Sequence, residues 1–525
     1  MKSLTHSPSA WWILGIASLL LFSAGIGNTP IYILDEAKNA EAAREMLSSG
    51  DWLVPHFNGE LRTDKPPFHY YFMALMYALF GASAWTARIF SAVMGTLTVL
   101  FTYRITSEYL GRAAGWWTAI ALLASLHFSF EFHLAVPDPY LICCTTLALL
   151  FFYKGYTDKS QRWLFAMYGC IGLGALAKGP VAIALPGLIF LLYILYRRDL
   201  RWKSLMALRP FRGALLVLAI ALPWYLAVHF QTDGAWTRGF FIDHNLDRFS
   251  DTKEGHGGIF LYTPLVALLG MMPFSFFIVQ ALGRAWRDRQ KSLLAFALIA
   301  AGTIIGFFSL SSTKLPNYAM PSYPFLAILL GYFTSQMPHM QLKKTGVWAS
   351  LALLFLVSMA LPIAAYIGIG QDKEVGDLAW VAYSLAPLPV GAAFALFFYF
   401  RRKTDRMAYT LSLSFVLTGL LVFTHAYPRL YSRNPVSEAL PQMNTERPLL
   451  YYKLGNPAFV FNTQRIIPRA SRESELRELL RQYPDAYIIT RKRYLSELQP
   501  LGPWRTVSES RDTFERPITL VLERE

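Results

Sequence analysis

Residues 35–67 read DEAKNAEAAREMLSSGDWLVPHFNGELRTDKPP and follow an apolar run, WWILGIASLLLFSAGIG, at 11–27. This polar loop opens on the acidic pair Asp35-Glu36 and closes on a cluster that contains Arg62 and Lys65. A carboxylate can accept a proton from a hydroxyl group, and a fixed arginine–lysine pair can hold a phosphate. Beside a membrane, this combination favours sugar transfer from a lipid phosphate as a working hypothesis.

The composition is that of a membrane protein. Hydrophobic residues make up 54% of the 525 residues and charged residues 16%, against about 25% charged residues in soluble proteins. Because apolar runs near the ~20 residues that cross a bilayer recur along the chain, we predict an α-helical polytopic protein. Thirteen spans fit the hydropathy, at 11–27, 82–103, 113–130, 139–153, 163–177, 180–196, 213–230, 259–282, 292–310, 320–337, 346–368, 379–400 and 408–425. We interpret the first as a retained span, since no clear signal-peptidase site follows it.

The net charge of +15 is distributed unevenly between the two sets of loops that these spans define. One set holds 22 Lys and Arg against 5 Asp and Glu, and the alternate set, with Arg88 added, holds 11 against 17. Basic loops stay in the cytoplasm, so the alternate set, which includes the loop at 28–81, is predicted to be outside. The positive charge therefore reports topology and contact with anionic membrane lipids, and no nucleic acid partner is expected.

The chain divides into two predicted domains. Residues 1–426 form the transmembrane domain, which includes a first outer loop at 28–81 with an interfacial helix at 36–48 and a second short helix at 67–80. Residues 427–525 form a small α/β domain outside the membrane, because short apolar stretches alternate there with an Arg/Glu/Leu-rich helix.

Polar residues that could carry chemistry gather in the outer loops. Charges at the ends of spans are costly and usually serve a function. Each residue also has a simpler explanation: Asp35-Glu36 could cap a helix, Lys65 could reach the headgroups, Asp138 could be a turn residue between prolines, and the loop around His244 could be a solvated excursion. The candidates are Asp35, Glu36, Arg62, Asp64, Lys65, Glu131, His133, Asp138, Lys178, His244, Asn245, Arg248, Lys314, Asn317 and Tyr318.

Several of these residues stand in motifs that resemble a known family. The motifs are Asp35-Glu36-Ala37, Asp64-Lys65-Pro66-Pro67, Pro137-Asp138, Ala177-Lys178-Gly179-Pro180, His244-Asn245 with Arg248-Phe249, and Lys314-Leu315-Pro316-Asn317-Tyr318. In this order they resemble the bacterial 4-amino-4-deoxy-L-arabinose lipid A transferases and, more distantly, the protein O-mannosyltransferases, both of the GT-C glycosyltransferase class. The family more often has Glu where Asp64 stands, which keeps the charge and shortens its reach.

The resemblance implies a GT-C fold with thirteen spans, two juxtamembrane helices and an outer C-terminal domain. It implies a multi-pass protein of the bacterial inner membrane whose active site faces the periplasm. The donor would be a sugar on polyprenyl (undecaprenyl) phosphate, and the acceptor would be lipid A or lipopolysaccharide. The alternative acceptor is a protein or another glycan.

The resemblance also assigns roles to residues. Asp35 would be the general base, with Asp138 and Glu36 completing the catalytic carboxylates, and direct displacement would invert the anomeric centre. Residues that would bind the donor phosphate are Arg62, Lys65, Lys178 and Lys314. Residues that would position the substrates are Asp64, His244, Asn245, Arg248 and Tyr318.

Other kinds of function are less well supported by the sequence. The outer histidines, among them His56 and His69, show no tight ligand spacing, so a divalent metal is left open and no cofactor is assigned. A transporter would place ionisable residues near the bilayer midplane, whereas here they gather at one face. A structural scaffold would not require this polar loop chemistry.

Overall fold

The computed structural model describes residues 9–246, 258–340, 346–513 and 516–525. Each of the thirteen predicted apolar segments overlaps a helix. Seven helices are long and apolar enough to cross a membrane, or eight when the pair Tyr262–Gly270 and Phe274–Arg287, bent by 113°, counts as one span. The multi-pass helical fold is confirmed, and the number of thirteen spans stays a prediction.

The membrane part is built from long helices with short connections. Its α-helices are Ala10–Ser23, Leu34–Ser49, Phe68–Phe80, Ala84–Leu110, Arg112–Ala124, Leu126–Glu131, Asp138–Thr157, Gln161–Lys178, Val181–Tyr196, Trp202–Ala207, Pro210–Gln231, Ala235–Arg238, Tyr262–Gly270, Ile278–Arg287, Ser292–Leu310, Tyr323–Gln336, Val347–Gly370, Pro387–Phe400, Thr404–Leu421 and Tyr427–Ser432. Close packing depends on small residues: a Cβ at Gly331 would stand 2.4 Å from the backbone nitrogen of Thr118 on a neighbouring helix.

The first outer loop contains the two predicted helices. The first, Leu34–Ser49, which we call the loop helix, ends at Gly50 in the left-handed conformation (φ 73°). A two-stranded hairpin pairs His56–Phe57 with Glu60–Leu61, and the second helix, Phe68–Phe80, follows. Alanines cover the buried side of the loop helix, so neighbouring segments approach its backbone closely.

Glu36 anchors the loop helix to the membrane helices. Its carboxylate accepts two hydrogen bonds from the Arg88 guanidinium, at 2.7 and 2.8 Å, and one from the Ala135 backbone N–H at 2.8 Å. Arg88 also donates to the carbonyl oxygens of Ile26 and Thr29. Both side chains are buried. These contacts give the Glu36 carboxylate a structural role, and its predicted catalytic role stays a prediction.

The C-terminal domain is a five-stranded sheet with helices, as predicted for an α/β domain. The strand order is Arg469–Ala470, Leu449–Tyr452, Tyr487–Arg491, Ile518–Arg524 and Trp504–Arg511, of which the first three are parallel and the remaining pairings antiparallel. Its helices are Pro435–Ala439, Ala458–Thr463, Glu473–Gln482 and Leu495–Leu498.

Alternate residues of the central strands serve two different cores. Leu449 and Tyr451 pack in a cluster with alanines of the loop helix, whereas Leu450 and Tyr452 pack in a cluster with the apolar side of the domain's own helix Glu473–Gln482. The sheet is therefore buried on both faces, and the first outer loop supplies the cover for one of them.

Hydrogen bonds fix the contact between the loop and the C-terminal domain. Asn58 donates from Nδ2 to the Ile467 carbonyl at 2.9 Å, and its Oδ1 accepts from the Ile467 N–H at 2.7 Å. Asn462 donates from Nδ2 to the Ile31 carbonyl at 3.0 Å. Asn58 has φ 56°, a conformation that asparagine tolerates better than most residues.

We predict that Glu36→Gln destabilises the protein without removing the predicted sugar transfer from molecules that fold. The change leaves a buried guanidinium without its counter-ion, which costs about 3–5 kcal/mol. Thermal unfolding in detergent should show a large fall in Tm, whereas Glu473→Gln, in an exposed pair, should change Tm little. Loss of transfer by Glu36→Gln at an unchanged Tm would instead support a catalytic role for Glu36.

Asn58→Gly is expected to loosen the C-terminal domain. Glycine keeps the positive φ and removes both side-chain hydrogen bonds, which together contribute about 1–3 kcal/mol. The variant should unfold at a lower temperature and be cleaved faster by protease near residue 467. Asn444→Gly, which removes a hydrogen bond within an exposed turn, is the control. Equal effects in the two variants would show that the Asn58–Ile467 contact does not hold the domain.

Candidate active site

A buried arginine lies at the centre of the outer-loop site. All three nitrogens of the Arg62 guanidinium contact protein groups: Nη1 lies 2.7 Å from Asp64, Nε donates to the Tyr70 hydroxyl at 3.0 Å, and Nη2 donates to Asn39 Oδ1 at 3.1 Å. Nη2 also lies 3.6 Å from the Asp35 carboxylate. Arg62 therefore connects the loop helix, the segment before Phe68–Phe80 and the first turn of that helix.

Asp35 is the exposed member of this cluster. Its side chain is 53% exposed, compared with 3% for Arg62 and 27% for Asp64. The helix begins at Leu34 after Ile33, and no side chain caps it, so the capping explanation does not account for Asp35. One side of the carboxylate faces a fixed cation and the other side faces open space. That geometry suits a group that must meet an incoming substrate.

A second group of polar residues comes from three later segments. Lys178, the last residue of its helix, lies 2.5 Å from Asp138, the first residue of the helix Asp138–Thr157. Asn317 donates to the same carboxylate at 2.8 Å. The Lys178 ammonium also lies 5.8 Å from the centre of the Tyr318 ring. Asp138 thus binds side chains from distant parts of the chain, which a simple turn residue does not do.

Two buried groups show that the two clusters share one electrostatic environment. Burial first, and then the charges of Arg62, Lys65 and Lys178, hold the pKa of His69 well below its usual value. Burial and the charges of Asp138 and Asp35 raise the pKa of Glu131, while Lys178 opposes them. The predicted cations and carboxylates are therefore close enough to act on the same buried groups.

The predicted phosphate ligands differ in how available they are. Lys65, three residues after Arg62 in the sequence, is buried. The Lys314 ammonium donates to the carbonyl oxygens of Ser309 and Ser311, at 2.8 and 2.6 Å, which leaves it one further hydrogen to donate. Arg62 is engaged at every nitrogen, so its contacts are those of a residue that positions Asp35. Direct phosphate binding by these side chains stays a prediction.

Part of the predicted site lies beyond what the structure describes. Arg248 lies outside the described residues, and so do the side chains of His244 and Asn245, although the backbone of Gly239–Leu246 is π-helical. Among the described residues, no group of three or more His, Cys, Asp or Glu side chains could hold a metal ion. No ligands are therefore assigned to the divalent metal that the sequence left open.

Sequence reasoning did not identify Asn39 and Tyr70, which both accept hydrogen bonds from the Arg62 guanidinium. Tyr70 also donates from its hydroxyl to Asn39 Oδ1 at 3.1 Å. Asn39 follows Asp35 by four residues on the loop helix and so lies on the same side of it. This four-residue spacing was the sequence signal available for Asn39. The side-chain oxygen of a buried asparagine next to a carboxylate requires a hydrogen-bond donor.

The site can perform acid–base and phosphate chemistry together. Asp35 offers an accessible carboxylate beside a buried cation, and Asp138 offers a second carboxylate that is neutralised by Lys178. Groups of both charges held in fixed positions can accept a proton and stabilise a departing anion.

The chain resembles known glycosyltransferases in sequence. Residues 64–226 match the family model described as dolichyl-phosphate-mannose-protein mannosyltransferase. The undecaprenyl phosphate-alpha-4-amino-4-deoxy-L-arabinose arabinosyl transferase of Pseudomonas aeruginosa strain UCBPP-PA14 is 32% identical over 460 residues, which cover 85% of this chain and 82% of that protein. The transferase of the same name from Edwardsiella ictaluri is 28% identical over 85% of this chain and 83% of its own length.

The fold agrees with this assignment. The crystal structure of ArnT from Cupriavidus metallidurans bound to undecaprenyl phosphate superimposes with a TM-score of 0.81 and 24% identity, covering 98% of each chain. The apo structure of the same protein gives a TM-score of 0.81 at 23% identity. The predicted GT-C architecture is thus confirmed. By its fold and by its identity to the Pseudomonas enzyme, the chain belongs to the undecaprenyl phosphate-alpha-4-amino-4-deoxy-L-arabinose arabinosyl transferases and is a GT-C glycosyltransferase.

Proposed function

We propose that this protein transfers 4-amino-4-deoxy-L-arabinose from undecaprenyl phosphate to lipid A at the periplasmic face of the bacterial inner membrane. The observation that carries the proposal is the position of Asp35, half exposed and 3.6 Å from the buried Arg62 guanidinium, at the predicted outer face. The identity of the donor is inferred from the names of the relatives. The side of the membrane is inferred from the charge asymmetry of the loops.

Asp35 acts as the general base in this scheme. It accepts the proton of the acceptor hydroxyl as the acceptor oxygen attacks the anomeric carbon and the bond to the lipid phosphate breaks. If a phosphate group of the acceptor attacks instead, Asp35 accepts the proton of its monoprotonated form as the phosphate oxygen attacks the anomeric carbon. Arg62 keeps the carboxylate in place through a contact that does not depend on substrate.

Cations compensate the charge that develops on the departing lipid phosphate. Burial first, and then the charges of Arg62, Lys65 and Lys178, lower the pKa of the His69 imidazole, which therefore stays neutral and adds no further positive charge. The Asp138 carboxylate partly offsets Lys178 and holds it in one orientation. Fixed ammonium groups of this kind stabilise an anionic leaving group more strongly than mobile solvent does.

A protein acceptor is the second candidate, because the matching family model describes protein mannosyltransferases. Mass spectrometry of lipid A and of envelope glycoproteins from a deletion strain separates the two. Loss of the aminoarabinose modification from lipid A supports the proposal. Unchanged lipid A together with an altered glycoprotein would favour the second candidate.

We predict that Asp35→Asn abolishes transfer while the protein still folds and binds donor. Removal of a general base typically costs about 10²–10⁴-fold in rate, and the amide keeps the size of the side chain. Single-turnover transfer in detergent measures the rate, and Asp51→Asn in the same loop is the matched control, expected to stay near wild type. Wild-type turnover in Asp35→Asn would remove the base assignment.

Lys65→Ala should weaken use of the donor. One charge-assisted hydrogen bond to phosphate contributes about 1.5–3 kcal/mol, so KM for the donor should rise at least about tenfold. Lys373→Ala, which changes an exposed lysine of another predicted outer loop, should leave this KM unchanged. An unaltered donor dependence in Lys65→Ala would mean that the side chain only anchors the loop at the headgroups.

A further inference from the structure

A cleft lies at the contact between the first outer loop and the C-terminal domain. It measures about 230 Å³ and is open at one side. Drug-sized ligands occupy roughly 300–1,000 Å³, so this cleft suits a single headgroup rather than a whole lipid. Its lining includes Lys38, Phe57 and Glu60 of the loop and Arg469 of the C-terminal domain.

Lys38 places a cation in this cleft close to the candidate base. It follows Asp35 by three residues on the loop helix, and positions three apart are neighbours on a helix surface, roughly 5–6 Å between Cβ atoms. Lys38 is half-buried, and in the part of the chain that the structure describes it has no hydrogen-bond or ion-pair partner. A half-buried ammonium among apolar groups is stabilised when an anion binds.

Arg469 places a second cation on the other side of the cleft. It lies on the edge strand of the C-terminal sheet, and its Nε donates to the Lys453 carbonyl at 2.8 Å. That bond fixes the plane of the guanidinium and leaves both Nη groups to donate. A planar fork of this kind binds phosphate through two hydrogen bonds.

The rest of the lining favours a sugar over a simple anion. Phe57 provides aromatic surface, against which the apolar face of a sugar ring can pack. Glu60, the acidic residue of the lining, can accept hydrogen bonds from hydroxyl groups. Two cations, one carboxylate and one aromatic ring match a phosphorylated sugar.

We propose that this cleft binds the phosphorylated sugar headgroup of the acceptor and delivers it to Asp35. The inference rests on the proposed function for the identity of the acceptor. It gives the C-terminal domain a role in substrate recognition, because Arg469 belongs to that domain while Lys38 and Phe57 belong to the first outer loop. The acceptor would contact both parts at their shared interface.

The test compares two double variants of the full-length protein in detergent. Lys38→Gln with Arg469→Gln removes both cations of the cleft. Arg477→Gln with Arg481→Gln removes the same charge from the helix Glu473–Gln482 on the opposite face of the sheet. Binding is measured to mixed micelles that contain lipid A, dephosphorylated lipid A or phosphatidylglycerol.

We expect the cleft variant to bind lipid A at least about a hundredfold more weakly than wild type, since two charge-assisted contacts are lost. The control variant should bind as wild type does, and dephosphorylated lipid A should bind weakly to all three proteins. In turnover, KM for lipid A should rise in the cleft variant while KM for the donor stays unchanged.

Three results would overturn the proposal: equal loss in the control variant, equal binding of dephosphorylated lipid A, or an equal effect on phosphatidylglycerol, which would make the cleft a general contact for anionic lipids. Failure of the proposed function is recognised separately. In that case wild type transfers no sugar to lipid A, although the binding assay still reports whether the cleft recognises the phosphorylated headgroup.

Discussion

A buried guanidinium must be neutralised, and the outer-loop site is organised by that requirement. Arg62 meets it with Asp64 at 2.7 Å and Asp35 at 3.6 Å, while Asn39 and Tyr70 accept hydrogen bonds from its Nη2 and Nε. These partners come from the loop helix, the segment that follows the hairpin and the next helix. The position of Asp35 is therefore determined by a contact that exists before any substrate arrives.

The site also depends on support from both sides. Glu36, the neighbour of Asp35, fastens the loop helix to the membrane helices through Arg88. On the other side, Asn58 fastens the hairpin to the C-terminal sheet. A catalytic carboxylate needs a rigid second layer to stay aligned with its substrate. Here membrane helices and the C-terminal domain both contact the first outer loop that carries Asp35.

The sequence predicted features that depend on composition and local pattern. Apolar runs marked helices because burying them in lipid is strongly favoured, and the loop helix was placed within two residues of its observed limits at Leu34 and Ser49. The sequence could not predict which of the two carboxylates, Asp35 or Glu36, is accessible to solvent. Adjacent residues on a helix point about 100° apart, and the choice is made by Arg88, which lies 52 residues from Glu36. The hydrogen-bond and ion-pair partners of Arg62 likewise depend on tertiary contacts.

The central claim is that Asp35, held by Arg62, promotes direct displacement of the lipid phosphate by the acceptor. Its most direct test is the anomeric configuration of the product after a single turnover with undecaprenyl phosphate-alpha-4-amino-4-deoxy-L-arabinose, measured by NMR. Direct displacement predicts inversion, which converts the alpha donor into a beta product. Retention of the alpha configuration would require two successive displacements or attack from the face of the departing phosphate, and would contradict direct displacement promoted by Asp35.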